Sequence, residues 1–246
     1  MTNRTSLAPA KKIEWVKDPF SKKSGTALLW ILAHQQYQRS FSINELGKTL
    51  NLSPGTVHRT LAVLAYEGIF STSGLRTAKQ YSLNNTKEHL KQWLQSYKVL
   101  QRTKKLQATS SDPSLLTKLN LLDLGIVPAL HTAARKTFHV GVVNIRSFEG
   151  YVLNWKKISS IASKLSLVEQ DRGYDVLLIE PYYHHFVSLY FENYNKPDWN
   201  SAYEILTFLD LYHFPIRGRE QAEALFRKSS ALKSICSWKE IEESVE

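Results

Sequence analysis

The sequence predicts an α+β fold in two parts: a helical N-terminal part closed by a β-hairpin, then a mixed α/β part. Three observations carry that expectation. Apolar residues recur at helical spacing over residues 24–38, 42–50 and 54–67, followed by two short β-prone runs around a polar turn. Ala108-Thr-Ser-Ser-Asp-Pro113 is small, polar and closed by proline, the composition of a linker. Beyond it, apolar runs such as Tyr174-Asp-Val-Leu-Leu-Ile-Glu180, of buried-strand type, alternate with helical periodicities.

Residues 1–23 read as a basic arm with one apolar anchor around Trp15, Val16, Pro19 and Phe20. Ser24 to Gln38 carries Leu28, Leu29, Ile31, Leu32 and Ala33 in a helical pattern. The next helix announces its start. Ser42 and Glu45 form a capping box, in which each side chain satisfies a free backbone N–H at the other's position, with Phe41 and Leu46 as the hydrophobic staple. It runs to about Leu50, and Gly47 is small enough for a second helix to cross closely. Asn51-Leu52-Ser53 is a three-residue turn. Ser53 suits an N-cap, and Pro54 suits the first helical position, where its missing N–H costs nothing.

That third helix stacks Val57, Leu61 and Leu64 on one stripe and ends at Gly68. Ile69 to Thr72 and Gln80 to Leu83 follow as strands, with Ser73 to Lys79 as a basic hairpin tip. This order is that of a winged helix-turn-helix. A long amphipathic helix is expected over Thr86 to Gln107, which places the first domain at 24–107, the linker at 108–113 and the second domain at 114–246. In that second domain, strands are expected over Val140–Ile145, Tyr151–Trp155, Tyr174–Glu180 and Phe186–Phe191. Helices are expected over Lys156–Leu165, Ser201–Tyr212 and Gly218–Lys228.

A chain of 246 residues suits two small domains or one large one. No run of 18 apolar residues suggests a membrane span, and residues 1–12 lack the apolar stretch of a secretory signal. The single cysteine, Cys236, excludes an internal disulfide, so a reducing cytoplasm is expected. Net charge is +10, and it is one-sided: residues 1–110 hold 17 Lys and Arg against 5 Asp and Glu, the remainder 15 against 17. Localised positive charge marks a polyanion binder, because each neutralised phosphate releases condensed counterions.

The expected partner is therefore double-stranded DNA. In a helix-turn-helix the second helix of the motif enters the major groove, and residues near its N-terminus meet base edges. Here those are Ser53, Gly55, Thr56, His58, Arg59 and Thr60, with Arg76, Thr77, Lys79 and Gln80 at or beside the wing tip. Arg59 is the candidate for direct readout, since a guanidinium donates two bonds to guanine. Ser53 and Thr56 suit phosphate or base contacts.

The second half shows no phosphate loop, no dinucleotide fingerprint and no H-E-x-x-H. No catalytic residue, metal or cofactor is assigned, and no enzyme is expected. His184-His185 is a metal-binding pair or an exposed polar one, and no carboxylate or cysteine lies close in sequence. Asp175 and Glu180 flank an apolar strand as in metal-dependent nucleases, but Tyr182 stands where a lysine is needed. A winged-helix-guided nuclease and a ligand-sensing regulator are the alternative readings.

Three segments carry a resemblance. Tyr203-Glu-Ile-Leu-Thr-Phe-Leu-Asp-Leu-Tyr212 is followed by Arg217-Gly-Arg-Glu-Gln-Ala-Glu-Ala-Leu225, a leucine/aspartate helix and then R-G-x-E-x-A-x-x-L. Asp171 to Tyr182 looks like the same family's central strand, and Pro128-Ala-Leu-His-Thr-Ala-Ala-Arg135 matches its T-G-x-S-A-A pattern in part. Over roughly Ser24 to Leu225 the chain resembles AbiEi-type antitoxins of type IV toxin–antitoxin systems, used in phage defence or element maintenance. The resemblance implies a promoter-binding winged helix that represses its own operon through inverted repeats. It also implies a C-terminal domain that neutralises a nucleotidyltransferase-like toxin, and a chain that is monomeric in solution or dimeric on DNA. Arg217, Arg219 and Glu220 stand out in the signature, as a functional patch or as a surface ion-pair cluster.

Overall fold

A computed structural model describes residues 18–75, 79–141 and 147–243. The N-terminal head begins with α1 (Lys22–His34), followed by β1 (Phe41–Ser42), α2 (Ile43–Thr49), α3 (Pro54–Tyr66), β2 (Phe70–Ser73) and β3 (Gln80–Leu83). β1, β3 and β2 form an antiparallel sheet in that order. The capping box at Ser42 and Glu45 is present, and Ser53 caps α3 with Pro54 behind it. Phe41 and Leu46 are both buried. A Cβ on Gly47 would lie 3.1 Å from the Leu52 carbonyl but an ordinary 3.8 Å from Val57 on α3, so the turn rather than the helix crossing favours the small residue.

The head does not end where its sequence suggested. α4 (Thr86–Ser96) is half the length expected, because Tyr97 turns extended, with φ −107° and ψ 121°. A 3₁₀ turn (Val99–Gln101) leads into β4 (Lys105–Ser110). The first half of the expected linker, residues 108–110, is therefore strand, and β4 lies between the strands Val176–Ile179 and Leu167–Glu169. Its residues are small because they are enclosed: Ala108 and Ser110 are buried, and the Ser110 hydroxyl donates to Leu165 O at 3.0 Å.

The remaining elements are α5 (Leu115–Lys118), β5 (Ile126–Pro128), α6 (Leu130–Lys136), β6 (Phe148–Val152), α7 (Ile158–Lys164), β7 (Leu167–Glu169) and β8 (Val176–Ile179). They continue with α8 (His184–Glu192), α9 (Pro197–Tyr212), α10 (Gly218–Lys228), α11 (Ser230–Lys233) and α12 (Trp238–Glu242). The second sheet has the order β5-β6-β8-β4-β7, with β6 and β8 its parallel pair. The strand expected over Tyr151–Trp155 starts and ends earlier. Of the strand expected over Val140–Ile145, Val140 and Gly141 are not in a strand, and residues 142–145 lie outside the described residues. Phe186–Phe191 is helical in α8. Its buried Phe186, Val187, Leu189 and Tyr190 follow helical spacing, which the β-favouring composition obscured.

Side chains alternate across a strand, and both faces of this sheet are covered. Val176 and Leu178 join Ile126, Phe148, Val152, Ile161 and Leu165 under α7. Leu177, Ile179 and Tyr151 face the larger core, which runs without a break into the head. The junction is α1. Ser24 to Leu29 and Ile31 to Ala33 are all buried, so the helix is enclosed nearly all round. It packs on α3 within the head and on α8 and α9 from the second half. Trp30 meets Trp199 with ring centroids 4.7 Å apart. Phe20, the apolar anchor, stacks on Trp93, and Asp18 pairs with Arg102, so residues 18–23 are part of the body rather than a loose arm.

A buried apolar side chain is worth about 1.5–3 kcal/mol, and the head alone would expose several of those on α1. We expect residues 1–110 in isolation to show no cooperative thermal transition by circular dichroism, whereas the full chain melts cooperatively. A cooperative melt of the fragment would contradict the shared core.

Candidate nucleic-acid interface

Helix α3 turns its apolar stripe inward and presents its first turns to solvent. Ser53, Gly55, His58 and Arg59 are exposed, and Thr56 is half-exposed. The Ser53 hydroxyl accepts from the Thr56 backbone N–H at 3.3 Å and lies 2.9 Å from the Thr56 hydroxyl. That fixes the first turn. Arg59 Nε donates to the Gly55 carbonyl at 3.2 Å, which leans the guanidinium back over the helix start. Thr60 is a correction: it is 5% exposed and lies on the inner side of α3, so it offers nothing to a base. A Cβ on Gly55 would meet nothing within 4 Å, so packing does not require glycine there.

Beside α3 stands the hairpin. Ser71, Thr72 and Ser73 are exposed on β2. Lys79 holds its ammonium 5.3 Å from the Tyr81 ring centroid, and Gln80 is half-buried in the sheet. Arg76 and Thr77, the expected tip contacts, lie outside the described residues. Sequence reasoning missed Arg39, just before β1, and Lys48, in the last turn of α2; both are exposed. Their signal was present as cations flanking the capped helix.

Not all of the positive excess is free. Lys87 pairs with Glu240 at 3.1 Å, Arg102 with Asp18 at 3.3 Å and Lys104 with Glu180 at 3.3 Å. Two of these carboxylates come from the second half. By contrast, none of Arg39, Lys48, Arg59 and Lys79 has an ion-pair partner among the described residues. The uncompensated charge therefore includes the α3 and hairpin side of the head.

In the second half, Asp175 and Glu180 lie at opposite ends of β8, and Glu180 is committed to Lys104. No cluster of three or more metal-ligating side chains occurs among the described residues. No helix among them is long and apolar enough to cross a membrane. Cys236 is buried, and burial pushes its thiol up to about 12, far from a reactive thiolate.

The family profile described as transcriptional regulator, AbiEi antitoxin, type IV toxin–antitoxin system matches residues 82–231. The chain belongs to the AbiEi antitoxin family. The match starts in β3 and leaves α1, α2 and α3 outside it. No curated protein and no solved structure matches the chain.

The AbiEi signature residues have physical reasons here. Asp210 on α9 is fully buried and accepts hydrogen bonds from Tyr97 OH at 2.8 Å and Tyr151 OH at 2.5 Å. One carboxylate thus ties α9 to the end of α4 and to β6. Gly218 opens α10 so tightly against α9 that a Cβ would lie 2.3 Å from the Leu211 carbonyl. Arg217 has φ 52°, which turns the chain into α10, and its guanidinium pairs with Glu220 at 2.5 Å. Arg219 lies 5.6 Å from the Tyr212 ring centroid and 3.8 Å from Glu242. Arg217 and Glu220 thus form one exposed ion pair, and Arg219 joins a separate one with Glu242. Leu130 takes φ 47° where the family pattern places glycine, and a side chain in that region is strained. The following turn is held by Glu149, which accepts from Thr132 N at 3.0 Å and from its hydroxyl at 2.8 Å.

Burial pushes Asp210 up to about 7, against the opposing pull of the two tyrosine hydroxyls. A carboxyl held above its unfolded value binds its proton more tightly in the fold. Its contribution is complete below about pH 4 and is lost as pH rises through about 7. Relative to Asp210→Asn, which carries no such proton, the parent should lose about 2–3 kcal/mol of stability between pH 5 and pH 8. Denaturant melts of both proteins at the two pH values check this, and a constant difference would contradict it.

Proposed function

We propose that this AbiEi family member is a sequence-specific repressor of its own operon, the autoregulating antitoxin of a type IV toxin–antitoxin module. In this reading the head is a winged helix-turn-helix, α3 lies in the major groove, and the β2–β3 hairpin is the wing. The observation that carries it is the α3 face. A helix start fixed by its cap presents a polar, glycine-bearing turn and an uncompensated arginine beside an exposed hairpin. That is what groove reading needs: a rigid platform, donors for base edges and little negative charge to repel phosphate.

Roles follow from reach. Arg59 reads a guanine, and His58 and Thr56 contact bases or phosphate. Arg39, Lys48 and Lys79 neutralise the backbone. Gly55 lets the helix approach the sugar-phosphate strand closely. Two copies on an inverted repeat would give the two-fold operator such motifs use. The protein acts by binding rather than by catalysis, and the α/β part carries the activity that counters the toxin.

Affinity of the full chain for a duplex spanning its own promoter should fall more than about 100-fold between 50 and 200 mM salt. Arg59→Ala should lose about 1–3 kcal/mol on that duplex and much less on random DNA. Equal losses on both would reduce Arg59 to a phosphate contact. Gly55→Ala should keep or slightly raise the melting temperature, since alanine favours a helix by about 0.5–1 kcal/mol, while weakening binding. Undiminished binding by that variant would contradict close approach of α3.

A further inference from the structure

The segment Tyr182-Tyr183-His184-His185 at the start of α8 is where the second half grips the head. Arg102 Nη1 donates to Tyr182 OH at 3.2 Å. Tyr183 OH donates to the Phe20 carbonyl at 2.8 Å and accepts from Trp93 Nε1 at 2.8 Å. Its ring fills the space beside α1, where a Cβ on Gly25 would lie only 2.4 Å from it.

The two histidines then face opposite ways. His184 Nε2 lies 2.7 Å from the carbonyl of Leu153, just past β6. His185 Nε2 lies 2.7 Å from the carbonyl of Leu50, the C-cap of α2. A carbonyl only accepts, so each Nε2 carries the proton and donates. Consecutive side chains thus tie the second sheet and the helix-turn-helix to one helix start.

Leu50 sits at a sensitive point. Its carbonyl immediately precedes the turn that sets the angle between α2 and α3. That turn is tight: Asn51 has φ 47°, and Leu52 N donates back to the Gly47 carbonyl at 2.9 Å. Ser53 follows at once as the cap of α3. A bond at Leu50 therefore acts on the pose of α3 without touching its outer face.

We propose that His185 is a positioning residue for operator reading: by donating to Leu50 O it fixes the α2–α3 turn, so the second half sets the orientation of α3. This inference rests on the DNA-reading role of α3. It differs from that role in placing the determinant in the second half of the chain, off the outer face of α3.

The test uses the full chain, the duplex spanning its own promoter, and a random duplex of equal length. His185→Phe keeps a planar ring and removes the donor. It should lower the promoter-over-random preference roughly fivefold, leaving random-duplex affinity unchanged. His185→Gln, which restores an N–H donor, should recover most of it. Ile161→Val trims the separate core under α7 and should lower the melting temperature without moving the preference. Amide exchange of residues 50–56 should speed up in His185→Phe and not in Ile161→Val, a readout that needs no DNA. A preference unchanged in His185→Phe, or shifted equally by Ile161→Val, overturns the inference while the parent's preference upholds the reading role. A parent without preference overturns both.

Discussion

The structure depends on the enclosure of α1. A helix whose apolar residues surround it cannot lie on a surface, and Ser24 to Ala33 has almost no solvent-facing side. One flank must meet α3 and another must meet α9, so the head and the α/β part share a single core. The consequence for function is mechanical. The face that presents Ser53 to Arg59 is built on the same packed interior as the AbiEi signature, and the two are not independent modules on a tether.

The signature itself is mostly architecture. Asp210 joins three elements through two tyrosine hydroxyls, Gly218 permits the close turn between α9 and α10, and Arg217 bends the chain and pairs with its neighbour Glu220. Asp210 follows from buried polar chemistry, where an unpartnered group costs more than a good bond contributes, and Gly218 follows from close packing. Leu130 shows the same logic reversed. It keeps a glycine-like backbone while adding a buried side chain, so local strain is accepted in return for packing.

Local rules were legible in the sequence and long-range ones were not. The capping box at Ser42, the Ser53-Pro54 start, the β3 strand and the α10 limits could be read because each is decided by neighbours a few residues apart. The end of α4 could not, because Tyr97 leaves the helix to reach Asp210, 113 residues away. Ala108 to Ser110 looked like linker because small residues suit both a flexible tether and a strand enclosed on two faces. The histidine pair looked like an exposed polar or metal-binding dipeptide, since nothing in the sequence indicates that His185 meets Leu50. At the candidate site the exposed α3 residues were legible from the helical stripe. Thr60 was misplaced because it falls at the edge of that stripe, where side-chain direction decides burial.

In the proposed binding mode, α3 and the hairpin beside it meet duplex DNA while the second half supports them from behind. Hydrogen–deuterium exchange of the full chain, with and without its promoter duplex, tests this most directly. New protection is expected over residues 53–62 and over the β2–β3 hairpin, with the β4–β8 sheet unchanged. Protection confined to the second half, or none at low salt, would contradict it.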